Sequence, residues 1–595
     1  MIRTMNFKQP KIQSWTDIKW SHVDSTVKEM RSNIFLAKRQ GDHSKLRKAQ
    51  KQMLKSKCNM LFSIRRVTQM NKGKKTPEID KETYLDPTQR FQLYEKLSSV
   101  NLNQWKPDPI VRVYIPKPNG KMRPLGIPTI SDRVLQCVVK NALEPEWEAI
   151  FEHSSYGFRP GRSCQDAMIR VYKTLSKKKR TWILEADIKG CFDNISHEPL
   201  LIKLGEFPEI QIIKKWLKAG CMEGLDLNPT EQGTPQGGII SPLLSNIALH
   251  GLEEALQIKY HKNGYVRSEC RHVLVRYADD FIVLNRTEED ALLAKITVTE
   301  ELKKLGLVLS TEKTLITEAR TGFDFLGFKF QLFSDKRKQF DEVTLVQPTQ
   351  SSQRKLITKL RQIWRKSVGN KLGLLIRSLN LQITGTANYY KYSNSNKFFR
   401  KMDRINYLQA VRFIRRTHPN KNWKWLRSTY FKTKNKDNWT FYDKNTGIEL
   451  LKFKQWKIER YIPIQYNATL DDPKWNIYFE DRKLKKFKSL NKNRLSLLKM
   501  IQWQAYICPF CCELMAPEEE TDSVHVHHLI PKHKGGLDTY ENLIVCHAEC
   551  HRLTHQKNVS KFQLIRNLQT SIKTEKQQNR LKNTDYRRIK SMFKI

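Results

Sequence analysis

Two adjacent carboxylates, Asp279 and Asp280, interrupt an apolar stretch running from His272 to Leu284. Val, Leu, Tyr, Phe and Ile on both sides predict strand, tight turn, strand. Paired aspartates at a hairpin tip repel each other, and a divalent cation removes that cost; an all-oxygen donor set suits Mg²⁺. An isolated Asp-Asp turn is usually only a solvated turn, so the meaning of this one depends on what else the chain supplies. A third carboxylate, Asp187, closes the apolar run Thr181 to Asp187, where a metal ligand would have a fixed backbone, and Phe192 follows five residues later. Lys117 and Arg123 flank the turn signal Pro118-Asn119-Gly120, so a hairpin would bring two cations to one end. Two such cations suit a triphosphate, although alone they would read as edge-strand charges. Gln236 lies in a Gly-rich turn, Gly233 to Asn246, that feeds a helix with Pro242 in its first turn.

A second group of chemistry-bearing residues lies near the C-terminus. Of eleven cysteines, five (Cys508, Cys511, Cys512, Cys546, Cys550) are clustered and six are scattered. Cys508-x-x-Cys511 with Cys550 and either His547 or Cys546 has the spacing of a structural zinc site, with Cys512 outside the set. This is a local metal site of a reducing compartment rather than a disulfide framework. Interleaved with it are His527, His528, Asn542, His551 and His555; His551 and His555 are four apart on an expected helix and so share a face. His525 and His533 read as surface.

The elements that must hold these residues come from a long, basic chain. Its 595 residues imply several domains, and a hydrophobic fraction of 39% is enough for real cores. Lys and Arg number 107 against 60 Asp and Glu, a net charge of +47 that implies a polyanionic partner, with 13 Trp and 20 Tyr as stacking surfaces for bases. No apolar run is long enough to span a membrane, and the N-terminus has no signal-peptide core. Helical spacing covers Ser25–Arg39 and His43–Met60, for nucleic-acid binding, for packing on the next domain, or for both. Residues 131–150 predict an amphipathic helix with Val134, Leu135, Val138, Val139 and Leu143 on one side.

Taken in order, Lys117 to Arg123, Gly157-Phe158-Arg159-Pro160-Gly161-Arg162, Asp187 with Phe192, Pro235-Gln236-Gly237 and Tyr277-Ala278-Asp279-Asp280 resemble the motifs of group II intron-encoded proteins, the reverse transcriptase/maturase family. Gly306 to Thr314 and Gly322 to Phe328 resemble its later palm motifs. The resemblance implies a multidomain α+β chain: a right-hand polymerase of fingers, palm and helical thumb, then a basic DNA-binding region and a small zinc-containing ββα-metal (HNH) nuclease domain. It implies that Asp187, Asp279 and Asp280 hold two Mg²⁺ ions, and that Lys117 and Arg123 grip the incoming dNTP. Phe192 would stack under the sugar and Gln236 contact the nucleotide or template. Lys313 is either a general acid for pyrophosphate or plain surface. The histidines look like an HNH site, in which His527, His551 and His555 hold a divalent ion, His528 is the general base and Asn542 fixes the loop carrying it. At the fourth zinc position the family pattern favours His547 over Cys546.

The expected boundaries are a basic helical extension at 1–85, fingers and palm at 86–335, thumb or maturase domain at 336–420, a basic DNA-binding region at 421–500, the HNH nuclease at 501–560 and a basic tail at 561–595. The expected function is RNA-directed DNA synthesis, intron splicing assistance and nicking of target DNA to prime synthesis (retrohoming). Partners would be the intron RNA, target DNA, an RNA template with its DNA primer, and dNTPs, in a bacterial cytoplasm or an organelle. A maturase without an active polymerase is disfavoured by the intact aspartates. A non-intron bacterial reverse transcriptase is disfavoured by the thumb segment and the HNH module.

Overall fold

The N-terminal apolar spacing resolves into three helices, α1 (Trp20–Arg39), α2 (His43–Leu54) and α3 (Lys57–Arg65). The single helix expected over His43–Met60 breaks because Ser56 turns out of the helix and caps α3, its hydroxyl accepting from Asn59 N at 3.3 Å. This computed structural model describes residues 14–71, 82–116, 120, 122–223, 226–334, 342–367, 369–434 and 437–490. Beyond these it describes 497, 500–501, 504, 506–510, 515, 524–531, 535–537, 539, 542–548, 550–551, 564 and 566. Helix α4 (Pro87–Ser98) starts on a capping box of Asp86 and Gln89. A hairpin of β1 (Ile110–Pro116) and β2 (Met122–Ile127) then leads into α5 (Ile130–Glu148).

Helix α5 differs from expectation. It is buried all round except at Lys140, not amphipathic. Its acidic residues can enter the interior because arginines and lysines meet them there: Glu144 pairs with Arg31, Glu146 with Lys38 and Arg47, and Glu148 with Arg159.

Next come α6 (Cys164–Leu175), β3 (Trp182–Asp187), the short helices α7 (Cys191–Asn194), α8 (His197–Leu204) and α9 (Ile210–Leu217), and the strands β4 (Cys221–Glu223) and β5 (Asp226–Asn228). Strands β4 and β5 extend the first hairpin into a sheet of order β2-β1-β4-β5. Helices α10 (Ser241–Ala248) and α11 (Leu252–Ala255) precede β6 (Val273–Tyr277), β7 (Asp280–Asn285), α12 (Glu288–Lys303) and β8 (Leu315–Glu318). The central sheet has the order β6-β7-β3-β8, all antiparallel. Strand alternation sends Leu184 and Val283 into a core with α12, and Ile183 and Ile282 into a second core with α6. The sheet is thus covered on both faces, which explains its near-continuous apolar sequence.

A three-stranded sheet follows, β9 (Phe323–Phe325), β10 (Phe328–Ser334) and β11 (Glu342–Pro348), with three long helices, α13 (Gln350–Lys366), α14 (Leu372–Tyr390) and α15 (Asn396–Thr417). Tyr389 and Tyr390 of α14 donate to Leu326 O (2.8 Å) and Gly327 O (3.3 Å), fastening the helices to the β9–β10 turn. The core of this bundle continues through α16 (Trp423–Tyr430) and the hairpin β12 (Phe431–Lys434) and β13 (Asp437–Phe441), taking in Leu426, Phe431, Phe441, Phe453 and Trp456. Packing therefore gives no break at residue 420. Trp423, Trp439 and Trp456 belong to this core or lean on it, so they are not the free stacking surfaces that composition suggested.

The chain then runs back across the molecule as a strap, residues 457–475, into α17 (Asn476–Leu490). Tyr461 and Arg482 both bond Asp166, at 3.1 and 2.8 Å, and Ile464 N donates to it at 2.7 Å. Asp471 holds Arg31 of α1 at 2.7 Å and Asp472 holds Arg39 at 3.0 Å. Gly161 and Gly264 give room for Phe479 and Tyr466. Last comes a two-stranded unit, β14 (Val524–His528) with β15 (Leu543–His547), on a small core that includes Ile501, Cys508 and Val545. Among the described residues no helix is long and apolar enough to cross a membrane.

Candidate active sites

Asp187 ends β3 and Asp280 begins β7, and the antiparallel register sets them directly opposite each other. Tyr277 pairs with Asp280, leaving Ala278 and Asp279 as a two-residue turn. Three carboxylates from two distant stretches of the sequence therefore meet at one sheet edge. Ala278 sits at φ +60°, a left-handed value that costs a residue with a Cβ. The turn is held there from behind. A Cβ on Gly157 would lie 2.3 Å from Ala278 N, so only glycine lets the two backbones touch. Asn246 Nδ2 donates to Gly157 O at 2.9 Å, and Asn246 Oδ1 accepts from the fully buried Arg276 at 3.0 Å.

Burial, then the neighbouring Asp187 charge, raises Asp279 above the ordinary aspartate value. Asp280 meets solvent at one edge, yet desolvation by the surrounding protein, with Asp279 and Asp187 beside it, pushes it up to about 6. Arg123 and Lys313 act in the opposite direction on both. Lys313 Nζ lies 2.6 Å from Asp187 Oδ2, a hydrogen bond that raises the lysine. Lys313 is exposed, as one sequence reading had it, but it is paired with Asp187 rather than free in solvent. The set is one of oxygen donors with an excess of negative charge, which fits a hard divalent cation.

The other sequence-selected residues surround this edge. Arg123 lies on β2 opposite Ile115; Lys117 falls outside the described residues. The Pro235-Gln236-Gly237 turn rests on the same hairpin, since a Cβ on Gly237 would come 2.2 Å from Gly126 O. Thr234 N donates to Phe192 O at 2.5 Å, and Gln236 Nε2 to Asp193 Oδ2 at 3.3 Å, tying Gln236 to the Phe192 turn. Phe158 was not singled out. It is half exposed, at φ +60°, with its ring 6.2 Å from Phe192 in a T-shaped contact.

In the C-terminal unit, the β14–β15 register places His527 opposite Ile544 and His528 opposite Leu543. Asn542 closes the loop between the strands: its Oδ1 accepts from Ile530 N at 2.7 Å, and its Nδ2 donates to Ile530 O (3.0 Å) and Leu537 O (2.9 Å). Cys508, His547 and Cys550 bring ligand atoms within 4.8 Å of one another, a sulfur–nitrogen set compatible with zinc. Cys546 is not in that group. Its thiol, raised by burial, points to His525 O at 3.7 Å. Cys511 and His555 fall outside the described residues. The His551 ring lies 5.2 Å from both His527 and His525, and His525 Nδ1 is 3.4 Å from His551 Nδ1. His525 is exposed, as expected, but strand alternation puts it on the same face as His527, beside His551.

Four family models match the chain: "N-terminal domain of reverse transcriptase" over residues 15–97, "Reverse transcriptase (RNA-dependent DNA polymerase)" over 115–330, "Group II intron, maturase-specific domain" over 353–431 and "HNH endonuclease" over 508–557. Group II intron-encoded protein LtrA of Lactococcus lactis subsp. cremoris is 30% identical, over 81% of this chain and 91% of its own. This chain belongs to the group II intron-encoded proteins. Protein YkfC of Escherichia coli is 32% identical over 48% of this chain and 83% of its own. An uncharacterized 91 kDa protein in the cob intron of Schizosaccharomyces pombe is 32% identical over 38% of this chain and 34% of its own. As a group II intron-encoded protein, the chain is an RNA-directed DNA polymerase and a DNA endonuclease, with a maturase domain between. Its substrates are nucleic acids, including intron RNA. Both enzyme families typically use divalent metals, and its relatives come from bacteria and organelles.

Proposed function

We propose that the two enzymes work as successive stages of one reaction, retrohoming, with the β3–β7 carboxylates as the polymerising end. The cross-strand pairing of Asp187 with Asp280, beside Asp279, carries this reading. In this assignment the central sheet is a palm, the β1–β2 hairpin belongs to the fingers, and α13–α15 form a thumb that grips the RNA template with its DNA primer. Asp187, Asp279 and Asp280 would hold two Mg²⁺. Arg123 and Lys117 neutralise the triphosphate of the incoming dNTP, Phe192 supports its sugar, and Gln236 contacts nucleotide or template.

In the nuclease unit, His528 takes the proton of the attacking water as general base. His527, His551 and His555 would hold one divalent ion, and Asn542 fixes the loop that carries the base. Bound at the two sites, the divalent ions supply charge stabilisation for the attacking and leaving oxygens at phosphorus. Cys508, Cys511, His547 and Cys550 form a structural zinc set, with His547 preferred to Cys546 on the proximity of its Nδ1 to Cys550 Sγ, 3.9 Å. The basic region 421–500 and the tail 561–595 contact target DNA. The nicked strand supplies the 3′-hydroxyl that is extended.

Asp279→Ala is expected to abolish primer extension and leave DNA nicking and splicing assistance in place, whereas His528→Ala does the reverse for nicking. Both are read on the full chain with separate primer-extension and nicking substrates. Extension by Asp279→Ala above background overturns the assignment of the carboxylates, and nicking by His528→Ala overturns that of the base.

A further inference from the structure

Away from both active sites, α1, the loop after α5 and the strap enclose a cavity of about 480 Å³. It shares no residue with the carboxylate cluster or the histidine cluster. One wall is aromatic: the Tyr466 ring lies 3.8 Å from His153, tilted by 39°, and 5.2 Å from Tyr260. The lining is cationic, with Arg39, Arg159, Arg162 and Lys262 against the single acid Glu148. Two of these charges are already matched, Arg159 by a two-pronged contact with Glu148 at 2.9 Å and Arg39 by Asp472 at 3.0 Å.

Arg162 and Lys262 make no ion pair among the described residues. Arg162 donates to His153 O at 3.1 Å, but its buried Nε has no acceptor among the described residues. Thr469 Oγ1, also buried on the lining, has no partner there either. Desolvation, with Arg159 alongside, draws the Arg162 guanidinium down to about 10. A second guanidinium beside it makes the position costly unless an anion is present.

Cations with unused donors suit phosphate oxygens, and aromatic faces beside them suit a nucleobase. The volume is that of a site for one small organic ligand. We propose that this cavity takes one unstacked nucleotide of a single-stranded polynucleotide, with its phosphate on Arg162 and Lys262 and its base against Tyr466 and Tyr260. Either an RNA loop or a displaced DNA strand offers that chemistry.

The test uses the full chain saturated with a short single-stranded RNA carrying 4-thiouridine, or in a parallel arm a DNA carrying 4-thiothymidine. Long-wavelength irradiation couples the thiobase to the ring it touches, and the adducts are mapped by peptide mass spectrometry. Adducts on Tyr466 or Tyr260 are expected, and the arm giving more of them identifies the strand. Lys262→Glu reverses one charge and should lower that yield about tenfold relative to adducts elsewhere on the same chain, and Thr469→Val should lower it about threefold. The proposal is overturned if neither tyrosine is labelled in either arm at saturation. It is equally overturned if both variants label as the parent does, or if only free 4-thiouridine monophosphate labels the site.

Discussion

Gly157 shows how one missing side chain shapes the edge where the three carboxylates meet. Its backbone lies against the Ala278–Asp279 turn so closely that Gly157→Ala must push the turn, and with it Asp279, out of line with Asp187. We expect this variant to lose at least about 2 kcal/mol of stability and most of its primer extension; a variant with unchanged kcat and denaturation midpoint contradicts the close fit. At this scale the sequence was most informative where chemistry dictates residue type. The apolar runs around Asp187, Asp279 and Asp280 announced strands, and the sheet register does bring these three carboxylates to one edge. Lys313 was left between two readings, Phe158 was given no role of its own within its motif and His525 was read as surface, since a lysine, a phenylalanine and a histidine are common everywhere and gain meaning only from what they meet: Asp187, Phe192 and His551.

Among the elements, the strap was the least legible. Residues 457–475 have neither the period of a helix nor that of a strand, so nothing local announces them. Their structure is set by partners hundreds of residues away, above all Asp166, which is completely buried and accepts from Arg482, Tyr461 and Ile464 N. Arg482→Leu removes the only cation paired with Asp166 among the described residues, at an expected cost of about 3–5 kcal/mol. Limited proteolysis should then cut the strap at Lys457 or Arg460 in the variant and spare it in the parent; equal cleavage of both would mean the strap is held by something else. A DNA-binding region was expected at 421–500 from its basic residues, and composition offered the tryptophans as stacking surfaces. Packing separates them, because Trp423, Trp439 and Trp456 serve the core of α13–α16. Similarly, α5 read as amphipathic because its glutamates look like a solvent face until the arginines of α1 and α2 are brought to them.

For the whole molecule, His153 makes the junction between strap and polymerase sensitive to acid. It is half-buried against Tyr466 and Tyr260, and desolvation, with Arg162 and Arg159 nearby, lowers it to about 3. Because the folded value lies below the ordinary one, its contribution is complete above pH 6.5 and is lost as pH falls from there toward 3. The loss is up to about 1.4 kcal/mol for each pH unit. Urea midpoints measured between pH 7.5 and 5.5 should therefore fall, and His153→Gln should flatten that fall; an equally steep slope in the variant assigns it to other groups. The strap also bears on how the chain is made. Synthesis delivers Arg31, Arg39 and Asp166 early, but their partners Asp471, Asp472 and Arg482 only after some three hundred further residues. Until the later segment emerges, Asp166 has no cation among its described partners and Arg31 has only Glu144, so the polymerase domain is expected to stay incompletely closed. Cutting the gene after the polymerase motifs would therefore yield a protein arrested at that incompletely closed stage, rather than a smaller working enzyme.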